Sequence, residues 1–199
     1  MKPPRSVRLF LPLALALAVA ASAGAQSVTG RYDDAFRKYS KRFFGPGYDW
    51  RLFKAQSMTE SNLNPEATSW VGARGLMQLM PMTFKDVQSR NPEIAAIDDP
   101  EWNIAAGICY DRQLWRQLTG HPSDVDRQRF MFGSYNAGRG TLRRAQGVAE
   151  QKALDPLLWP SIETVAPDVP KWRHEETLTY VKRIEQSLAR MDAGGRVVK

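Results

Sequence analysis

Cysteine is almost missing from this chain. Cys109 is the only one among 199 residues, so no intramolecular disulfide can form and the fold must rest on its own core. Its setting, Ile104-Ala105-Ala106-Gly107-Ile108-Cys109, marks it as a small buried hydrophobe rather than a nucleophile. Histidine is scarce too: His121 and His174 stand far apart with no accompanying ligand cluster, which argues against a metal site. No glycine-rich phosphate loop occurs, and no cofactor is expected. A dense basic helix is also lacking, and the aromatic content centres on Trp and Phe, so a nucleic-acid binder is not indicated. The one long apolar run, Leu9 to Ala20, is Ala-rich, interrupted by Pro12 and shorter than the roughly 20 residues a bilayer requires. It does not read as a membrane anchor.

That run has another reading. Lys2, Arg5 and Arg8 precede it, and Ala23-Gly24-Ala25 follows with small residues, the composition of a secretory signal peptide cut after Ala25. Two segments result: residues 1–25 as a leader and 26–199 as a single domain in the periplasm. No cysteine follows the apolar run, so there is no acceptor for a lipid at a new N-terminus. A domain of that size buries about 70% of the surface its unfolded chain exposes, enough to stand without staples. The net charge is +7, and the three cations of the leader account for part of it. What remains is a modest positive charge outside the cytoplasm, which suits anionic envelope polymers. Arg143-Arg144 and Arg127-Gln128-Arg129 read as solvated surface.

Beyond the leader, apolar residues recur at helical spacing, which predicts a mostly α domain. One helix is expected over Asp33 to Phe44, ended by Gly45-Pro46-Gly47. A second runs from Trp50, capped by Asp49, to about Ser61, where Asn64-Pro65 disfavours continuation. Glu66 to Gln78 is glycine-containing and aperiodic, a loop or short irregular strands. Pro81 and Pro100 open helices to about Ser89 and Leu118, and Ser123 caps one to about Asn136. Thr141 to Leu154 and Glu175 to Met191 are the last two helices, separated by an ordered loop over Pro156 to Pro170. The tail from Gly194 is expected to fray.

Glu60 is the chemically interesting residue. Protonating a glycosidic oxygen near neutral pH requires a carboxyl that keeps its proton, and apolar surroundings achieve this by penalising the charged form. Glu60 closes a helix containing Phe53, Ala55 and Met58, and the glycine-bearing loop that follows can leave its head facing a cleft.

The run Glu60-Ser61-Asn62-Leu63-Asn64-Pro65, with Gly72-Ala73-Arg74-Gly75-Leu76-Met77-Gln78 behind it, resembles the signature of the soluble lytic transglycosylase family. Ser134-Tyr135-Asn136-Ala137-Gly138 and Glu176-Thr177 with Tyr180-Val181 follow in the same order, so the resemblance covers about Tyr48 to Leu188. It implies a lysozyme-like α-helical fold with a short irregular, β-containing segment after the catalytic helix. It also implies a monomeric enzyme acting on peptidoglycan glycan strands. Glu60 is then the catalytic acid and base. It protonates the bond between N-acetylmuramic acid and N-acetylglucosamine, the muramic N-acetyl group assists departure, and the C6 hydroxyl attacks C1 to give a 1,6-anhydro end. Water is not consumed.

By the same resemblance Ser61 is a hydrogen-bonding neighbour of the site; by position alone it is equally a helix C-terminal hydroxyl bonding backbone. Gly75 permits close backbone approach to a sugar, Met77 offers a soft contact in the cleft or else belongs to the core, and Gln78 binds hydroxyl or acetamido groups. Tyr135, Asn136 and Tyr180 line the cleft, and Glu176 takes a structural role beneath it. Ser134 replaces the family's usual Ala and Leu63 its frequent Phe, which bears on subsite shape. Gln26 to Asp49 leaves no room for the large N-terminal domains of longer members, so a stand-alone catalytic domain is expected. Two rivals remain open. A goose-type lysozyme would hydrolyse the same bond with a water-positioning carboxylate, for which Asp86, Asp98 and Asp99 are available. A peptidoglycan-binding or secretion-associated protein would keep the cleft with little turnover.

Overall fold

The computed structural model describes residues 30–198. The expected leader, residues 1–25, lies outside them. Among the described residues the chain forms α1 (Asp33–Phe44), α2 (Arg51–Ser61), α3 (Pro81–Arg90), α4 (Pro100–Gln117), α5 (Asp124–Ala137), α6 (Arg139–Gln151), α7 (Trp159–Val165), a 3₁₀ turn (Ala166–Asp168) and α8 (His174–Ala189). The helical periodicity of the sequence is therefore realised as a mostly α domain.

α4 is the centre. Every residue from Asn103 to Cys109 is buried, and a helix apolar on all sides has to be surrounded. α1, α3 and α5 pack on it, while α8 lies across α2 and α5. Local chemistry sets the helix ends. Asp99 accepts the Trp102 N–H ahead of Pro100 at the first helical position, and Ser123 accepts the Asp126 N–H at the start of α5. α2 stops at Asn62, which is left-handed with φ 53°, a conformation asparagine tolerates. Leu63 follows at φ 60°, so the chain turns sharply just after Glu60, before Asn64-Pro65 is reached.

The segment between α2 and α3 is irregular with minimal β character. Thr68 bridges Arg74, and Arg74 bridges Leu79. Two serines lash this loop to α2, since Ser57 Oγ and Ser61 Oγ both donate to the Leu76 carbonyl at 2.9 Å. Asn103 fastens it from α4: its Nδ2 donates to Arg74 O and Ile97 O, and its Oδ1 accepts the Met77 N–H.

Two expectations are corrected. The stretch Pro156 to Pro170 is not a plain loop but holds α7 and the 3₁₀ turn, because Pro160 and Pro167 occupy first-turn positions where proline is tolerated. Trp159, Ile162 and Val165 bury one face of α7. The tail beyond Gly194 is docked rather than frayed. Lys54 of α2, fully buried, donates to Gly195 O at 2.7 Å and pairs with Asp33 of α1 at 2.6 Å. Val198 N–H bonds Arg190 O, and Met191 bridges Val197.

Candidate active site

Glu60 sits in the last turn of α2, a position that gives its side chain α8 as a neighbour. The Tyr180 hydroxyl of α8 donates to Glu60 Oε1 at 2.5 Å. The carboxyl keeps a partial opening to an open groove of about 750 Å³, bordered also by Thr59, Asn136, Trp172, Glu176 and Tyr180. Protein otherwise surrounds it. Burial pushes the Glu60 carboxyl up to about 7, and the Tyr180 hydrogen bond, which favours the ionised form, restrains the rise. Such a group holds and releases a proton near neutrality.

Tyr180 touches this carboxyl, and Tyr135, which does not border the groove as expected, feels its charge from behind the loop. Tyr180 and Tyr135 are both pushed well above the usual phenol range, chiefly by burial and next by the negative charge of Glu60. They stay protonated donors. Tyr135 spends its O–H on the Met77 carbonyl at 2.8 Å and packs against Tyr110, with ring centroids 5.2 Å apart. This bond ties α5 to the loop after α2.

The residues expected at the site take different places. Asn136 borders the groove; its Oδ1 accepts from Thr177 Oγ1 at 2.8 Å, and Thr177 in turn accepts from Trp172 Nε1 at 3.0 Å. Gln78, at φ 44°, donates its amide hydrogens to Ala67 O and Gly75 O. What it has left for a ligand is its carbonyl oxygen. Ser61 is a neighbour of Glu60, but its hydroxyl hydrogen faces the Leu76 and Ser57 carbonyls, which makes it a strut of the loop.

Three expectations fail on geometry. Met77 is 0% exposed and packed against Gly107, so its side chain belongs to the core and only its carbonyl serves the site. Gly75 is required by a different close approach: at φ 75°, a Cβ there would stand 2.5 Å from Asn103 Nδ2. Glu176 does not lie beneath the site. It is on the groove wall, exposed and paired with Arg173 at 3.0 Å. The three aspartates considered for water positioning also lie elsewhere: Asp86 pairs with Arg90, Asp98 with Arg74, and Asp99 caps α4.

Sequence reasoning missed Trp172, Thr177, Asn103, Gln56 and Asp111. Thr177 was visible inside the Glu176-Thr177 block. Asn103, Gln56 and Asp111 carry no local pattern, because each works with a partner remote in sequence, whereas Trp172 bonds Thr177 five residues on.

Fold and groove together define a class: a helical domain holding a buried glutamate, raised to about 7, beside an open groove of about 750 Å³. Comparison with known proteins then fixes the family. The model of the transglycosylase SLT domain matches residues 35–157, and the chain belongs to that family. It is 31% identical over 189 residues to a membrane-bound lytic murein transglycosylase F of Alteromonas mediterranea, covering 87% of this chain and 38% of the relative. To the protein of that name from Stutzerimonas stutzeri it is 36% identical over 137 residues, covering 69% and 26%. The 70 kDa soluble lytic transglycosylase of Escherichia coli aligns with a TM-score of 0.58 at 28% identity, over 77% of this chain and 22% of that one. An inactive mutant of lytic transglycosylase Slt from Pseudomonas aeruginosa, at 23% identity and TM-score 0.52 over 84% of this chain and 26% of that one, shares the fold. The chain thus spans well under half the length of the relatives it matches.

Proposed function

We propose that this protein is a peptidoglycan lytic transglycosylase in which Glu60 serves as acid and then as base. The observation that carries the reading is the Glu60–Tyr180 contact in the groove, where burial raises the carboxyl to about 7. In the first step the neutral carboxyl gives its proton to the glycosidic oxygen between N-acetylmuramic acid and N-acetylglucosamine, while the muramic acetamido oxygen bonds C1 and the glucosamine departs. The Tyr180 O–H supports the carboxylate that results. In the second step that carboxylate takes the proton of the muramic C6 hydroxyl, whose oxygen displaces the acetamido group from C1. Glu60 is restored, and the product carries a 1,6-anhydro ring with no water added.

Asn136, on the groove wall, is suited to hold the substrate's acetamido or hydroxyl groups through its unspent amide nitrogen. The protein works in the periplasm as a monomer, with residues 1–25 as its cleaved export leader. No helix of the described residues is long and apolar enough to cross a membrane.

The test is digestion of purified sacculi followed by mass analysis. Anhydro-muramic ends support the proposal. Reducing muramic ends mean hydrolysis, a reading favoured only by Glu175 and Glu176 on the groove wall. Glu60→Gln is expected to lower the rate of release about 10²-fold or more; unchanged release overturns the assignment.

A further inference from the structure

Asp111 of α4 is fully buried, and the proposed chemistry gives it nothing to do. It stands behind the last turns of α2, where Gln56, also 0% exposed, is four residues before Glu60 and hence on the same helix face. Gln56 Nε2 lies 3.5 Å from Asp111 Oδ1, the outer edge of hydrogen bonding. The two remaining polar atoms of the pair, Gln56 Oε1 and Asp111 Oδ2, are buried with no partner among the described residues. One is an amide carbonyl without a donor. The other is a carboxyl oxygen that becomes a donor when it carries a proton.

Among the described residues no cation bears on the Asp111 carboxyl. Asp111 is faced by Glu60 and Gln56 of α2, Tyr48 from the loop before α2, Tyr110 of α4, Tyr135 of α5 and Tyr180 of α8. The nearby cations act elsewhere: Arg127 on Tyr48 and Arg112, and Arg112 against Arg116. Burial first, and the Glu60 charge after it, push the Asp111 carboxyl well above the usual carboxylate range, against the Gln56 hydrogen bond. An ionised carboxylate there would be a buried charge with one weak donor.

We infer that Asp111 is a positioning residue for Glu60: a neutral carboxylic acid joined to the Gln56 amide by two reciprocal hydrogen bonds, Oδ2–H to Oε1 and Nε2–H to Oδ1. One proton answers both unpartnered atoms at once. The inference rests on Glu60 being the acid and base of the proposed reaction, and it explains how that residue can alternate. Glu60 must become a carboxylate in mid-cycle, and a second negative charge in the same dry compartment would oppose that ionisation. The acid–amide pair supports the last turn of α2 while adding no charge.

The experiment combines carbon-detected NMR titration of the Asp111 and Glu60 carboxyls in the full chain with sacculus digestion by Asp111→Leu and Asp111→Asn. The expected results are an Asp111 carboxyl still protonated at pH 8 and a loss in kcat of about 10-fold or more in Asp111→Leu, with KM little changed. Asp111→Asn can form the same two-bond ring and is expected to restore most of that loss. It should keep the Glu60 midpoint within about 0.3 pH unit of the parent. An ionised Asp111 at pH 8 overturns the inference, as does a fall of the Glu60 midpoint by about one unit or more in Asp111→Asn, the signature of a removed like charge. Should Asp111→Leu fail to fold, the titration of the parent still decides. The titration needs no turnover, so its outcome is separable from a failure of the lytic reading itself.

Discussion

At the scale of single residues, Glu60 and Tyr180 meet across 120 positions of sequence, and the sign of their coupling is testable. The phenol stabilises the carboxylate, so removing it lets burial act unopposed. Tyr180→Phe is expected to move the Glu60 midpoint upward from about 7, displacing the alkaline limb of the pH–rate profile to higher pH while lowering the maximal rate; a limb moving downward contradicts the geometry. Stability follows the same shift. Between the ordinary value of 4.5 and about 7 the folded chain holds a proton that the unfolded chain has lost, so stability falls as pH rises through that window. The contribution amounts to at most about 3 kcal/mol. Urea titrations of the parent and Glu60→Gln from pH 4 to 8 check this, the variant showing the shallower decline.

At the scale of elements, the site depends on a loop that is nearly strandless and is kept in place by side chains. Asn103 alone makes three hydrogen bonds to that loop and its neighbour. Asn103→Ala leaves those buried backbone groups unpaired, at about 1–3 kcal/mol each, and is expected to raise hydrogen exchange at the Met77 amide more than at α5 amides. Gly107 tests the opposite face of the same loop. A Cβ there would lie 2.7 Å from the Met77 side chain, so Gly107→Ala should cost about 1–3 kcal/mol by overpacking, measured as a lower thermal midpoint. It should also slow turnover by shifting the carbonyl that holds Tyr135.

Helices were largely legible in the sequence because caps, prolines and the 3.6-residue rhythm are local signals; α1 and the Ser123 cap show this. Glu60 and Tyr180 were legible through the motifs that carry them. The α7 helix was not, since two prolines within ten residues look like loop unless their first-turn placement is known. The assignments of Met77 and Gly75 to a sugar also could not be corrected locally. Whether a methionine faces a cleft or a glycine faces Asn103 is decided by α4, a helix that begins more than 20 residues later.

At the scale of the whole molecule, α1, α2 and the C-terminal tail converge on the buried ammonium of Lys54. Arg37 of α1 joins them, lying over the Trp50 ring at 4.0 Å and donating to Gly194 O. Trp50 leaves no room for a side chain at residue 195, where a Cβ would come within 2.2 Å of the ring. Lys54→Met removes the partner of Asp33, whose carboxyl burial already pushes up despite the lysine. The loss is expected to be about 3–5 kcal/mol in chemical denaturation, with the unfolding slope unchanged if the molecule melts as one unit.

The same clasp makes residues 194–198 a matter of handling as well as of folding. Cleavage ahead of Gly195, or any displacement of this segment, would uncover a cation seated on the helix that bears Glu60. Shelf life and activity would then decline together, and the remedy would lie in a segment that borders no part of the groove.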